Sequence, residues 1–182
     1  MNNDEFYAFC QENPDLRIER NRFGQILINM PTGSKTGIKN AEIIGDLIIW
    51  NRLTKEGYVF DSSTGFTLAT QPKNSVRSPD ASWIKKENWE QIPQNQQVKF
   101  APICPDFVIE LLSETDDWGE TAEKMQEYIQ CGCQLAWLID VENQRVRIYR
   151  GDGSTQEVKG FQQKLSGETV LVGFEFDLSL LI

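Results

Sequence analysis

The chain has 182 residues, 40% of them hydrophobic and 25% charged, which fits a globular protein with a sizeable core and excludes the disordered and membrane classes. Its formal net charge of -9 repels polyanions at long range and works against strong nonspecific nucleic-acid binding. The absence of histidine removes Ser-His-Asp and Cys-His catalysis, the helical zinc-protease motif and every His-ligated metal, so acid, base or metal chemistry must come from carboxylates, lysines, tyrosines or water.

One domain over residues 1–182 is expected, because no linker divides the chain. No apolar run approaches the ~20 residues of a membrane span, and Met1-Asn2-Asn3-Asp4-Glu5 lacks a basic leader, so a cytoplasmic location is expected. Cys10, Cys104, Cys131 and Cys133 match neither a disulfide framework nor a zinc spacing and read as reduced thiols.

Phe6, Phe9 and Cys10 fall at helical spacing over residues 4–12, and Asn13-Pro14-Asp15 stops that helix. Residues 16–20 and 25–29 flank Asn21-Arg22-Phe23-Gly24 and predict a hairpin. Residues 31–37 read as a polar loop that lacks full phosphate-loop spacing. From about Asn40 to Leu53, Ala41, Ile44, Leu47, Ile48 and Trp50 predict a helix with a broad buried face. Glu42 and Asp46 stack on it as like charges, and a solvated acidic edge and a site role are both open readings for Glu42.

Residues 58–61 and 65–69 predict a hairpin or two short strands, and Val76 to Ile84 a strand carrying Pro79-Asp80. Residues 85–99 read as a surface helical turn followed by a loop. Phe107-Val108-Ile109-Glu110-Leu111 follows as a buried strand, and a buried strand rarely tolerates a lone carboxylate without a partner. Asp117 caps a helix through Trp118, Ala122, Met125 and Ile129 that ends at Gly132, with Lys124 on its flank. Leu135 to Asp140 and Arg145 to Tyr149 are two more strands, Asp140 a residue of the turn between them, and the strand-helix-strand unit suggests parallel pairing of the Glu110 and Trp137 strands. Leu171, Phe174, Phe176 and Leu178 are expected to pack across one edge.

Asp80, Glu110 and Lys124 make a candidate constellation. Two carboxylates can hold one Mg2+ or Mn2+, and a neighbouring lysine can orient or deprotonate a water and stabilise developing phosphate charge, which suits phosphodiester hydrolysis. Lys124 also stands four after Glu120, the order of an ordinary helical ion pair. Asp106 reads either as a turn acid or as a pocket residue, and Gln126 and Tyr128 as possible supports.

Several stretches carry a family resemblance in order: Asn40-Ala41-Glu42-Ile43, Arg77-Ser78-Pro79-Asp80-Ala81-Ser82-Trp83, Cys104 to Leu111, Lys124 to Ile129, Ala136 to Asp140 and Leu165 to Phe174. Together they resemble the Uma-two family of restriction-endonuclease-like proteins in the PD-(D/E)xK nuclease superfamily. The resemblance implies an α/β restriction-endonuclease-like core, a mixed β-sheet flanked by helices, with an N-terminal hairpin. It also implies Asp80 and Glu110 as metal ligands, Glu42 as the acid of the first core helix, DNA as substrate and a homodimer, formed through the apolar C-terminal stretch or exposed strands. The chain departs from the superfamily pattern two residues after Glu110, where Leu112 replaces the expected lysine, and Lys124 is the natural substitute. Against the metal-dependent endonuclease stands a nuclease-fold binding or assembly protein without cleavage, consistent with the -9 charge and the missing strand lysine.

Overall fold

The computed structural model describes residues 1–182. Helix α1 (Asn3–Glu12) opens on a capping box in which Asn2 and Glu5 satisfy each other's backbone N–H, and its buried Phe6 packs with Ile18 and Val76. Strands β1 (Arg17–Arg20) and β2 (Ile26–Asn29) form the expected hairpin, its turn closed by Gly24 at φ +82° and by the Asn21 carboxamide.

Helix α2 (Ser34–Thr54) begins six residues before Asn40, so residues 34–37 of the expected polar loop are helical. Gly33, in an extended conformation, takes the N-cap position, and Ser34-Lys35-Thr36 form the first turn. The buried stripe is Ile43, Leu47 and Trp50, four and then three residues apart, while Ala41 is exposed.

Strands β3 (Gly57–Asp61) and β4 (Phe66–Leu68) are two short strands that enter different sheets. The stretch from Val76 to Ile84 is not one strand either. It breaks into β5 (Ser75–Arg77) and β6 (Ala81–Lys85), with Ser78-Pro79-Asp80 crossing between sheets. Pro79 has no N–H to give to a ladder and the Ser78 N–H is taken by the Glu19 carboxylate, so the run cannot continue as regular sheet. Two short helices, α3 (Lys86–Glu90) and α4 (Gln94–Gln97), precede β7 (Phe107–Leu111), helix α5 (Trp118–Gln130) and β8 (Leu135–Asp140). Strands β9 (Arg145–Arg150), β10 (Thr155–Lys159), β11 (Lys164–Ser166) and β12 (Glu175–Asp177) follow, and a 3-10 turn (Leu178–Leu181) ends the chain.

The central mixed sheet runs β10-β9-β8-β7-β6-β3, with β7 and β8 parallel as expected across the α5 crossover and every other pair antiparallel. A four-stranded antiparallel sheet, β2-β1-β5-β4, lies on the α5 side. Strand alternation divides the apolar residues between two layers. Ala81, Trp83, Phe107, Ile109 and Trp137 face α2 and the C-terminal segment, whereas Ile84, Val108, Ala136 and Leu138 face α5 together with Phe66 and Leu68 of the small sheet. Leu171, Phe174, Phe176 and Leu178 are buried within the first of these layers. The C-terminal side chains that could have formed a dimer surface are thus spent in the chain's own core, because the sheet face above α2 would otherwise lie bare.

Candidate active site

Glu110 points to the α5 side of the central sheet, with Val108 two residues before it on the same strand face. On α5, Lys124 and Tyr128 are one turn apart and present one face to the sheet. Tyr128 Oη donates to Glu110 Oε1 at 3.0 Å, and Lys124 Nζ forms an ion pair with the same oxygen at 2.8 Å. The lone acid of the buried strand therefore has its partners on the following helix.

Asp80 enters from the crossover. The β6–β7 register pairs Ala81 with Ile109, which places Asp80 opposite Glu110 at the strand's start, and Asp80 Oδ2 accepts from the Leu111 N–H at 2.9 Å. Arg17 Nη2 stands 3.6 Å from Asp80 Oδ1.

A third acid that sequence reasoning missed completes the cluster. Glu19, on β1 and almost wholly buried, accepts from Lys124 Nζ at 3.0 Å and from the Ser78 N–H at 3.0 Å, so Lys124 lies between two carboxylates. Arg77 Nη1 donates to the other Glu19 oxygen at 3.3 Å, and its Nε and Nη2 hold both Glu127 oxygens at 2.8 and 3.2 Å. Ser75 adds a bond to Glu127 at 2.7 Å. The result is a line of alternating charge from Asp80 and Glu110 through Lys124 and Glu19 to Arg77 and Glu127, joining both sheets and α5. The only sequence signal for Glu19 is an acid between two arginines in a short strand; that β1 lies beside β5 and under α5 is a tertiary fact.

Burial, aided by the nearby Asp80 and Glu19 charges, pushes the Glu110 carboxyl up to about 7 despite Lys124. Burial likewise raises Asp80, against the Leu111 N–H, Lys124 and Arg17. Burial alone would raise Glu19 too, yet Lys124, Arg77 and the Ser78 amide outweigh it and hold this carboxyl below its ordinary value. Lys124 moves above its usual range because Glu110 and Glu19 overcome its desolvation, so it carries a proton at neutral pH. Lys124 is therefore a fixed cation here, and Glu110 is the member that titrates near neutrality.

Each acid keeps one oxygen without a hydrogen bond, Asp80 Oδ1, which only the Arg17 guanidinium approaches at 3.6 Å, and Glu110 Oε2, and neither is sealed from solvent. These are hard donors of the kind Mg2+ takes one or two of while keeping several waters, and no third acid or thiol joins them in a ligand cluster.

The other candidate residues fall elsewhere. Glu42 is exposed on α2 beside Asp46 and makes no hydrogen bond or ion pair with the cluster; from that helix it is Asn40 that reaches Asp80, donating to its backbone carbonyl at 3.4 Å. Lys124 pairs with Glu110 and Glu19 and not with Glu120. Asp106 is a structural acid that receives the Lys85 N–H and the Asn88 carboxamide, and Asp140 holds Asn143 and Arg145 in the β8–β9 turn. Gln126 is exposed.

The family model Uma2, described as "Putative restriction endonuclease", matches residues 3–179. A crystal structure of a "putative nuclease belonging to DUF820" from Anabaena variabilis ATCC 29413 superimposes with a TM-score of 0.74 at 21% identity, covering 90% of this chain and 88% of that one. The likeness establishes a shared restriction-endonuclease-like fold. No curated protein matches the chain.

Proposed function

Since the chain belongs to the Uma2 family of putative restriction endonucleases, we propose that it is a metal-dependent endonuclease that hydrolyses DNA phosphodiester bonds at the Asp80–Glu110–Lys124 cluster. The observation that carries this reading is the convergence of a crossover acid, a strand acid and a helix lysine, with Lys124 Nζ at 2.8 Å from Glu110 and Asp80 accepting from the N–H of Leu111, the residue after Glu110.

Asp80 Oδ1 and Glu110 Oε2 are the atoms that would hold Mg2+ or Mn2+. When bound, such an ion supplies positive charge against a phosphoryl oxygen and lowers the pKa of a bound water. The rest of the work belongs to the chain. Lys124, fixed between Glu110 and Glu19, offers a preorganised ammonium that orients a water and stabilises charge developing on the phosphate. Being protonated, it does not act as the base that deprotonates that water. Glu110, whose carboxyl is raised to about 7 without a metal, has to lose its proton before Oε2 can serve as a ligand. Glu19 and Arg77 are positioning residues: Glu19 pairs with Lys124, and Arg77 pairs with Glu19 in turn, so that the ammonium is held in place. Tyr128 fixes the Glu110 carboxylate through the same oxygen that Lys124 contacts.

The competing reading, a nuclease-fold binding protein without cleavage, rests on the net charge of -9 and on Leu112 in the place of a strand lysine. Incubating supercoiled plasmid with Mg2+ or Mn2+ separates the two. The endonuclease reading predicts nicking by the wild-type protein that Asp80→Asn, Glu110→Gln and Lys124→Ala each abolish. Protein that leaves the plasmid intact while still retaining it in a gel-shift assay would favour the binding reading.

A further inference from the structure

Sheet edges are where a chain's unpaired backbone groups meet other chains, and three of the four edges of the two larger sheets are protected. Strand β10 carries Glu157 and Lys159; β3 is flanked by Glu56 and Asp61 and packed by α2 and α3; and β4 is covered by the segment at Ala101, whose carbonyl accepts from Thr67. Strand β2 has no such device. It pairs with β1 on one side only, and all four of its residues are exposed, Ile28 by 58%. Phe23 before it and Met30 after it are exposed by 61% and 85%.

The register shows why this edge is apolar on both faces. Ile28 stands opposite the buried Ile18 on the α1 face, whereas Leu27 stands opposite Glu19 on the side of the ion network. A strand solvated on one face would alternate apolar with polar, and Ile26-Leu27-Ile28 does not. The stretch from Phe23 to Ser34 contains no charged residue, on a chain whose net charge is -9.

We propose that β2 is a self-association edge, at which a second copy of this chain adds its own β2 antiparallel about a two-fold axis and joins the two small sheets into one. A second copy is the occupant that fits because an antiparallel strand pairs with itself, backbone to backbone, in an isologous closed contact. It also fits because this uncharged edge lets two strongly acidic molecules approach without opposing like charges across the strands. Phe23 and Met30 extend the apolar patch beyond the four residues of the strand. The inference does not depend on cleavage, since mass is measured without substrate.

The test is light scattering coupled to size exclusion, run on the full chain from about 1 to about 100 µM, a range that brackets weak and moderate interfaces. The expected result is a species of twice the 20.9 kDa chain mass that Ile28→Lys and Met30→Lys each convert to monomer with an unchanged circular dichroism spectrum. Met30 lies outside the strand and is almost fully solvated, so Met30→Lys decides the matter should Ile28→Lys fail to fold. A monomer throughout, a dimer that persists in the folded variants, or an open-ended ladder of assemblies would each overturn the proposal.

Discussion

Lys124 shows how one residue can carry both stability and chemistry. Replacing it by alanine leaves Glu110 facing Asp80 and Glu19 with no cation between them, and removing one partner of a buried ion pair costs about 3 kcal/mol or more. Urea denaturation of Lys124→Ala should show that loss at pH 8 and a smaller one at pH 5, where Glu110 takes up a proton and no longer needs the cation. Glu110 brings its own pH dependence. Its carboxyl is raised from 4.5 to about 7 in the fold, so its contribution is fully present below pH 4.5 and fades as the pH rises through 7. That shift corresponds to about 3 kcal/mol. Glu110→Gln should therefore remove the downward slope of stability between pH 4.5 and 7 that titration of the wild-type protein shows; an unchanged slope would mean that Glu110 is not the titrating group. Glu19 has the opposite sign, lowered in the fold, and its contribution is lost as the pH falls below its unfolded value.

At the scale of elements, the sequence was most legible where a single periodicity decided the outcome. The β1–β2 hairpin, α5 with its Asp117 cap and the parallel β7–β8 pair all follow from local pattern. Asp117→Ala, which deletes the bond from the Glu120 N–H to the cap, should cost about 1 kcal/mol in thermal or urea unfolding. What was not legible depended on partners far away in the chain. The split of Val76 to Ile84 into two sheets requires knowing that Glu19 takes the Ser78 N–H, and the early start of α2 rests on a glycine cap with no side-chain bond. Gly57 is a further case. A methyl group there would meet the Ile84 carbonyl and the Trp83 ring across the β3–β6 ladder. Gly57→Ala should thus destabilise the protein markedly, on the 1–3 kcal/mol scale of overpacking, although nothing in residues 54–61 announces it.

For the whole molecule, the three residues named from sequence, Asp80, Glu110 and Lys124, lie together, while Glu42 remains on the outer surface of α2 and Glu19 takes up the pairing that sequence could not assign. Spacing made Glu110 conspicuous because an acid in an apolar strand demands a partner. It could not make Glu19 conspicuous, because a strand bounded by arginines accommodates an acid without explanation. The net charge of -9 still stands against a polyanionic substrate, and because Arg17 and its neighbours can offer only a few phosphate contacts, cleavage should fall only gently with added salt. The central claim is met most directly by supercoiled-plasmid nicking in Mg2+ or Mn2+ across pH 6 to 9. The account predicts metal-dependent nicking that rises through about pH 7 and disappears in both Glu110→Gln and folded Lys124→Ala. Nicking that persists in those variants, or that proceeds equally in excess chelator, would contradict it.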